Sequence, residues 1–391
     1  MEDLKSTIKI CFITTIHRTL NAFVLKTAEY IHENTDWEIS FICQYDKEWA
    51  ANLPEYIHYH PVTMNRGLSF SPKTERQIYQ ILKKERFDLV QFSTPNASLY
   101  TAIAASKAHV PVRLYCQWGI AYVGFTGWKR RILKFVEKFV CSKATTVEPD
   151  SHSNLQFAIS EGLYKKEKGH VVWNGSACGV DLEKFNISRR EAYRQAIRNE
   201  LGIPEAAFVF GIVGRVHKDK GITELFGAFQ RFQETEPNSC LILVGTDERA
   251  ELIEKDLNQW ANENPKVIFT GLSDKVEQYL SAMDCYVLPS YREGFGLSVV
   301  EAEAMGLPVI VTNIPGPVDA MVEGQTGIVI PKQNTEALYE AMLELYRDEN
   351  KRTEYGNAGP AYAKDNFEQK ELFRRILEDR KELLRAAAIE S

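Results

Sequence analysis

Two carboxylates, two cations and a set of glycines carry the chemistry this sequence can do. Glu293 and Glu301 bracket Gly294-Phe-Gly-Leu-Ser-Val-Val300, and upstream Arg215 and Lys220 stand between Gly214 and Gly221. Both segments run from an apolar stretch through a glycine-bearing turn into a helical pattern. Such a turn sets backbone N–H groups at the positive end of a helix, where anions bind. Arg215 and Lys220 match the roughly two charges of a diphosphate. The N–H groups of Phe295, Gly296, Leu297 and Ser298 follow Gly294 and suit a phosphate oxygen. A carboxylate beside that phosphate is repelled, so Glu293 and Glu301 need hydroxyl partners, and one carboxylate accepts two hydroxyls at once. Each segment alone has a plainer reading, a basic solvated loop in the first case and a solvated helix face in the second. No G-K-[ST] follows the first and neither is G-x-G-x-x-G, which argues against a Walker A loop and against a dehydrogenase.

These residues need elements to hold them. β-rich runs at 8–14, 37–43, 88–93, 112–116 and 144–148 alternate with helical patterns at 19–33, 73–86, 97–107, 128–140 and 151–161. Several runs are apolar throughout rather than alternating, as in a parallel sheet covered on both faces. The stretch 173–188 is rich in Gly, Asn and Ser and reads as a linker. A helix at 188–200 then precedes strands at 207–214, 239–245, 266–271, 285–289, 308–312 and 326–330. Helices at 335–347, 352–365 and 368–388 close the chain. Repeated βα units with right-handed crossovers give two doubly wound α/β domains, Rossmann-like and facing across a cleft. The expected boundaries are 1–180 and 181–366, with 367–391 a closing helix that packs back towards the first domain.

Composition narrows the function. With 391 residues, a net charge of −6 and a pI near 5.9, the chain is not one that coats itself in nucleic acid. An apolar share of 44% is enough for two cores and excludes a disordered chain. The seven cysteines lie far apart with no C-x-x-C, so neither a disulfide framework nor a zinc ribbon is expected and a reducing cytoplasm fits. No apolar run approaches the about 20 residues of a membrane span. The opening Met1–Thr15 is a short polar segment running into a strand, unlike a signal peptide. Charge is uneven: residues 1–185 hold 23 Lys and Arg against 19 Asp and Glu, the remainder 24 against 34. The first half is therefore the one suited to an anionic partner.

Taken together, the motifs resemble those of the retaining glycosyltransferases of the GT-B fold, specifically glycosyltransferase family four. The pair Glu293 and Glu301, the element Gly214-Arg215…Lys220-Gly221 and the phrase Asn174-Gly-Ser…Gly179-Val-Asp-Leu-Glu-Lys-Phe185 carry the resemblance. It is dense from about 171 to 330 and most like the capsule and O-antigen branch. The resemblance implies that Arg215 and Lys220 bind the donor diphosphate and stabilise it as a leaving group. Glu293 would contact the transferred sugar, Gly214, Gly294 and the N–H groups from Phe295 to Ser298 the phosphates, and Glu301 the ribose. Thr270, Gly271 and Leu272 would lie beside the base. The implied reaction moves a hexose or N-acetylhexosamine, with retention, from a nucleotide diphosphate (UDP foremost) to a lipid-linked saccharide. No D-x-D occurs, and no metal or other cofactor is expected.

The first half departs from that pattern. Thr14-Thr-Ile-His-Arg-Thr19 has no glycine where relatives carry a glycine-rich loop, and Trp118 stands before Gly119 where a histidine is usual. Gln91 and Ser93 likewise replace the usual histidines. Thr15, His17, Gln117 and Trp118 are the expected acceptor-side residues. The run 125–139 is basic and amphipathic: Trp128, Lys129, Arg130, Arg131 and Lys134 read as a membrane-surface helix, or as a helix packing its aromatics on the sheet. The expected protein is a cytoplasmic enzyme, peripheral on an anionic membrane. The alternative is a catalytically weak relative kept as a partner in a glycan-assembly complex.

Overall fold

The computed structural model describes residues 7–64, 70–249 and 253–390. The polar stretch 1–6 lies outside them. The chain forms two compact units, one of residues 1–178 and 370–391 and one of residues 179–369. The first holds a parallel sheet of β1 (Lys9–Ile13), β2 (Glu38–Cys43), β3 (Ile57–Pro61), β4 (Leu89–Phe92), β5 (Val112–Gln117) and β6 (Thr146–Pro149). The second holds β7 (Phe208–Val213), β8 (Ser239–Val244), β9 (Val267–Gly271), β10 (Cys285–Leu288), β11 (Val309–Thr312) and β12 (Gly327–Ile330). The strand orders are β3-β2-β1-β4-β5-β6 and β12-β11-β10-β7-β8-β9. Both are the doubly wound order that reverses beside its first strand, leaving a crevice there at the strand C-terminal ends.

The continuously apolar runs are the inner strands. All of β8 and β11 is buried, as are four of the five residues of β1. The sequence reading missed β3, whose Ile57-His-Tyr-His-Pro61 is an edge strand with mixed burial. An edge needs one covered face only, and proline is tolerated there because one side of its backbone has no partner. The expected single helix at 19–33 is two, His17–Phe23 and Leu25–Asn34, broken where Val24 leaves helical geometry. A short helix, Lys47–Ala51, capped by Asp46 accepting from the Trp49 N–H at 2.9 Å, was also unread.

The stretch expected as a linker is closely pinned. Ser176 donates its N–H to the Asp150 carbonyl at 2.7 Å, and Trp173 and Ser176 both hold positive φ. In the first unit the last helix, Gln369–Glu390, contributes the fully buried Arg380, whose guanidinium bonds Glu148, Asp379 and Gln91. His170 meets the other oxygen of Asp379 at 2.5 Å. Gln91, which stands where the family resemblance expects a histidine, is thus an acceptor for Arg380 rather than a solvent-facing group.

Candidate active site

The site residues of the second unit gather at the C-terminal edge of its sheet. β7 ends at Val213, and the chain turns through Gly214 with φ +146°. A Cβ on Gly245, in the neighbouring loop, would stand 1.8 Å from the Gly214 carbonyl, so the loops lie backbone against backbone. A short 3-10 turn, Lys218–Lys220, then reaches Gly221 at φ +69°. A Cβ there would strike the Pro289 carbonyl at 2.0 Å, so glycine lets the helix Ile222–Thr235 begin hard against the end of β10. That placement sets the Lys220 Cε 3.7 Å from the Cβ position of Gly214. It also pairs the Lys220 ammonium with the Glu293 carboxylate, both side chains being under a fifth exposed. Ser290 donates to the same Glu293 oxygen at 2.7 Å and fixes its orientation.

Arg215 is more open and is held by Glu248 at 2.9 Å and Asp219 at 3.5 Å. Asp219 also accepts from Arg292 at 2.8 Å and faces His217 Nδ1 at 2.5 Å. Burial would raise the Asp219 pKa, but the charges of Arg292, His217 and Arg215 outweigh it and hold the carboxyl below its usual range. Asp219, Ser290 and Arg292 were missed from sequence. An acid set between Lys218 and Lys220 was the available signal that the basic loop balances part of its own charge.

The helix Leu297–Ala304 opens at Gly296, φ +95°, with no side-chain cap. Among the described residues no acceptor takes the N–H groups of Leu297 and Ser298, the ordinary state of an uncapped helix start. The buried Tyr286 hydroxyl reaches Ser298 Oγ at 2.7 Å and the Val213 carbonyl at 3.4 Å, tying this helix start to the end of β7. One turn further, Glu301 is half-buried, and no hydrogen bond or ion pair engages its carboxyl among the described residues. Burial pushes its pKa up to about 7, with Lys184 opposing the rise and Glu277 adding to it. At the end of β9, Gly271 has φ +73° and Leu272 is exposed, an open platform beside Thr270.

In the first unit the expected acceptor residues fare differently. Thr15 is buried, its hydroxyl 2.8 Å from that of Thr94. His17 stacks on Trp49 with ring centroids 5.5 Å apart, and the half-buried Trp118 packs on Phe23. Gln117 is a correction. It is fully buried, donates to Glu137 at 2.5 Å and accepts from the Tyr164 hydroxyl at 3.2 Å, so its amide is spent inside the core and faces no acceptor. Of the two readings of the helix Gly127–Lys143, the packing of aromatics on the sheet fails for Trp128 and Phe135. Leu133, Val136, Val140 and Cys141 face the core, while Trp128 and Phe135 are 65% and 72% exposed. Lys129 and Arg131 are exposed, but Arg130 and Lys134 bond Glu161 at 3.5 and 2.8 Å and so brace the helix.

Residues 193–362 match the family described as glycosyl transferases group 1, and residues 9–151 match glycosyl transferase 4-like. The chain is 31% identical over 330 residues to a capsular polysaccharide biosynthesis glycosyltransferase, CapM, of Staphylococcus aureus, covering 83% of this chain and 82% of that one. It is 28% identical to a UDP-Gal:alpha-D-GlcNAc-diphosphoundecaprenol alpha-1,3-galactosyltransferase of Escherichia coli, over 81% of each chain. Its fold is like that of Anabaena Alr3699/HepE, solved in complex with UDP and glucose. The TM-score is 0.76 and the identity 20%, over 96% of this chain and 99% of that one. The GT-B fold expected from the sequence is therefore the fold of this protein.

Proposed function

The chain belongs to the glycosyl transferases of group 1, and on that premise we propose that this glycosyltransferase moves a hexose or N-acetylhexosamine from UDP, with retention, to a lipid-linked saccharide. The observation that carries the donor half is the juxtaposition at one sheet edge of the Lys220–Glu293 pair, an uncapped helix start and the unengaged Glu301. In this reading the helix start and Arg215 take the diphosphate, Lys220 meets the charge that grows on the departing phosphate, and Glu293 holds the sugar. Glu301 accepts the ribose hydroxyls, and the platform Thr270–Leu272 lies beside the base. No metal is required, because cations and N–H dipoles meet the leaving charge. The UDP donor and the diphosphoundecaprenol acceptor named for the Escherichia coli relative support these assignments.

Glu301 gives the test. As a carboxylate it accepts two hydroxyls; protonated, it loses acceptor capacity. With its pKa near 7, UDP affinity should fall up to about tenfold between pH 8 and pH 6. Glu301→Gln should bind more weakly at pH 8 and lose that part of the slope. The sign for stability is opposite: the raised pKa costs stability at neutral pH, and the cost is relieved as pH falls towards the unfolded value. Calorimetric titration of both proteins at the two pH values decides it. Parallel slopes would remove Glu301 from the nucleotide site, and absence of UDP binding would remove the donor reading itself.

The membrane half of the reading rests on the outward face of Gly127–Lys143, where exposed Trp128 and Phe135 adjoin exposed Lys129, Arg131 and Lys138. No helix among the described residues is long and apolar enough to cross a membrane, so attachment would be at the surface. Each cation near an anionic leaflet is worth about 1 kcal/mol. Changing Lys129, Arg131 and Lys138 to Glu should therefore weaken binding to phosphatidylglycerol vesicles by about 100-fold or more while UDP binding is unchanged. Unaltered co-sedimentation would make the helix a structural element only.

A further inference from the structure

The crevice of the first sheet lies where its strand order reverses, between β1 and β4. In a doubly wound sheet that place ordinarily takes a polar ligand, with its phosphate on the first N–H groups of the following helix. Here that cradle is absent. The helix Pro95–Lys107 starts with a proline, which has no N–H, and the Ala97 N–H is taken by the Thr15 hydroxyl at 3.3 Å. The Ser98 N–H is taken by the Thr94 carbonyl at 2.9 Å. The Thr94 hydroxyl accepts the Thr15 N–H at 3.0 Å, so the two threonines spend their hydroxyls on each other and on local backbone. No glycine loop follows β1.

What remains at the crevice is a cavity of about 430 Å³, within the size range of small-molecule sites, and apolar in its lining. Ile16 and Pro95 line it from the strand ends, Ala121, Phe125 and Leu133 from the segment leading into and along Gly127–Lys143. Among the described residues Lys129 is the one charged member of the lining, which has no acid; Thr15, Thr19, Thr94 and Asn96 are its uncharged polar members. Phe125 also reaches the surface and begins the exposed apolar ridge continued by Trp128, Ile132 and Phe135. An apolar slot with a single cation, opening onto an apolar and basic helix face, complements a chain that is greasy along its length and anionic at its head.

We propose that this crevice binds the first isoprenoid units of a lipid-diphosphate acceptor, with Lys129 meeting the diphosphate. The inference rests on the reading of the acceptor as lipid-linked and adds which part of it the switch point takes: the lipid, not the sugar. Burial of successive prenyl methylenes then sets acceptor affinity.

The test titrates the full chain with inorganic diphosphate, isopentenyl diphosphate and farnesyl diphosphate. Affinity should rise at least about tenfold from isopentenyl to farnesyl. Thr19→Leu and Ala121→Leu fill the slot from two half-buried positions, in a helix and a short 3-10 turn, where leucine suits local geometry. Either variant should abolish the chain-length gain, keep the weak diphosphate binding, and leave UDP and vesicle binding as in the parent. Equal affinity along the series in the parent overturns the proposal, and so does a gain that survives both fillings. Loss of vesicle binding in the filled variants also overturns it, since the slot would then hold bulk membrane lipid. Transfer to a diphosphoprenyl saccharide is scored separately: its failure sinks the lipid-linked acceptor reading, while the prenyl series still decides the crevice.

Discussion

Lys220→Ala should lower the transfer rate by about 10²–10³-fold while UDP binds almost as well as to the parent chain. The argument is about when the charge is needed. A nucleotide diphosphate arrives already anionic and is met by Arg215 and the helix start, so ground-state affinity is spread over several groups. The charge added as the glycosidic bond breaks falls on the phosphate nearest the sugar. Lys220, held over Gly214 and paired with Glu293, is the cation placed to meet it. An interaction made mainly in the transition state appears in kcat rather than in KM. Glu293→Gln carries the complementary expectation. It removes the sugar contact and so lowers turnover, yet it also releases the ammonium that Glu293 now occupies, so UDP affinity should hold or rise. Steady-state rates set beside UDP calorimetry separate the cases. If Glu293→Gln abolished UDP binding while Glu301→Gln left it intact, the two glutamates would have exchanged roles and the site assignment would fail.

The parts of this site legible in the sequence are those where backbone sterics leave one choice. Gly221 must be glycine because the Pro289 carbonyl occupies the space of a Cβ, and Lys220 is delivered by that turn. Glu301 was legible because its spacing from the glycine turn fixes it one turn into the helix. What stayed hidden depends on side-chain direction across the fold. Asp219 looked like one residue of a basic loop, but it gathers Arg215 and His217 from its own segment and Arg292 from 73 residues further on. Gln117 was read as facing an acceptor because its neighbours Trp118 and Gly119 form a motif. A strand alternates its side chains, and this one points at Glu137 and Tyr164 inside the core.

The same distinction runs through the scaffold. Buried strands such as β8 announce themselves, because a parallel sheet covered on both faces needs unbroken apolar runs. β3 does not, since an edge strand carrying His58, His60 and Pro61 satisfies neither the apolar nor the alternating pattern. The helix Gly127–Lys143 left two readings open, a membrane-surface face or aromatics packed on the sheet. The smaller aliphatic residues take the core and leave Trp128 and Phe135 outside. Periodicity gives the stripe of a helix but not which of two apolar stripes is buried, and here the exposed one is the functional candidate.

Arg380→Ala should destabilise the protein by about 3–5 kcal/mol, a loss of the size seen when one partner of a buried ion pair is removed. Nothing in the local sequence sets this arginine apart from the five other Lys and Arg residues between 370 and 385. It is nonetheless fully buried, bonding both oxygens of Glu148, one of Asp379 and the amide oxygen of Gln91. Its removal leaves two carboxylates facing each other with His170 as the remaining cation beside them among the described residues. Burial lowers the His170 pKa, but the hydrogen bond and charge of Asp379 overcome it and raise the pKa above the ordinary value, while Arg380 pulls against that rise. A raised imidazole contributes stability that is complete below the unfolded pKa, about 6.5, and is lost as pH climbs through the folded one. Without Arg380 the imidazolium becomes the sole cation of the cluster and its pKa climbs further. The loss in Arg380→Ala should therefore be smaller at pH 5.5, below the His170 pKa, than at pH 8. Urea unfolding of parent and variant at the two pH values measures it. A loss under 1 kcal/mol, or one independent of pH, would mean that water enters the cavity and solvates both carboxylates, and that the last helix is held by its apolar side chains, Leu372, Phe373, Ile376, Leu377, Leu383 and Leu384 among them.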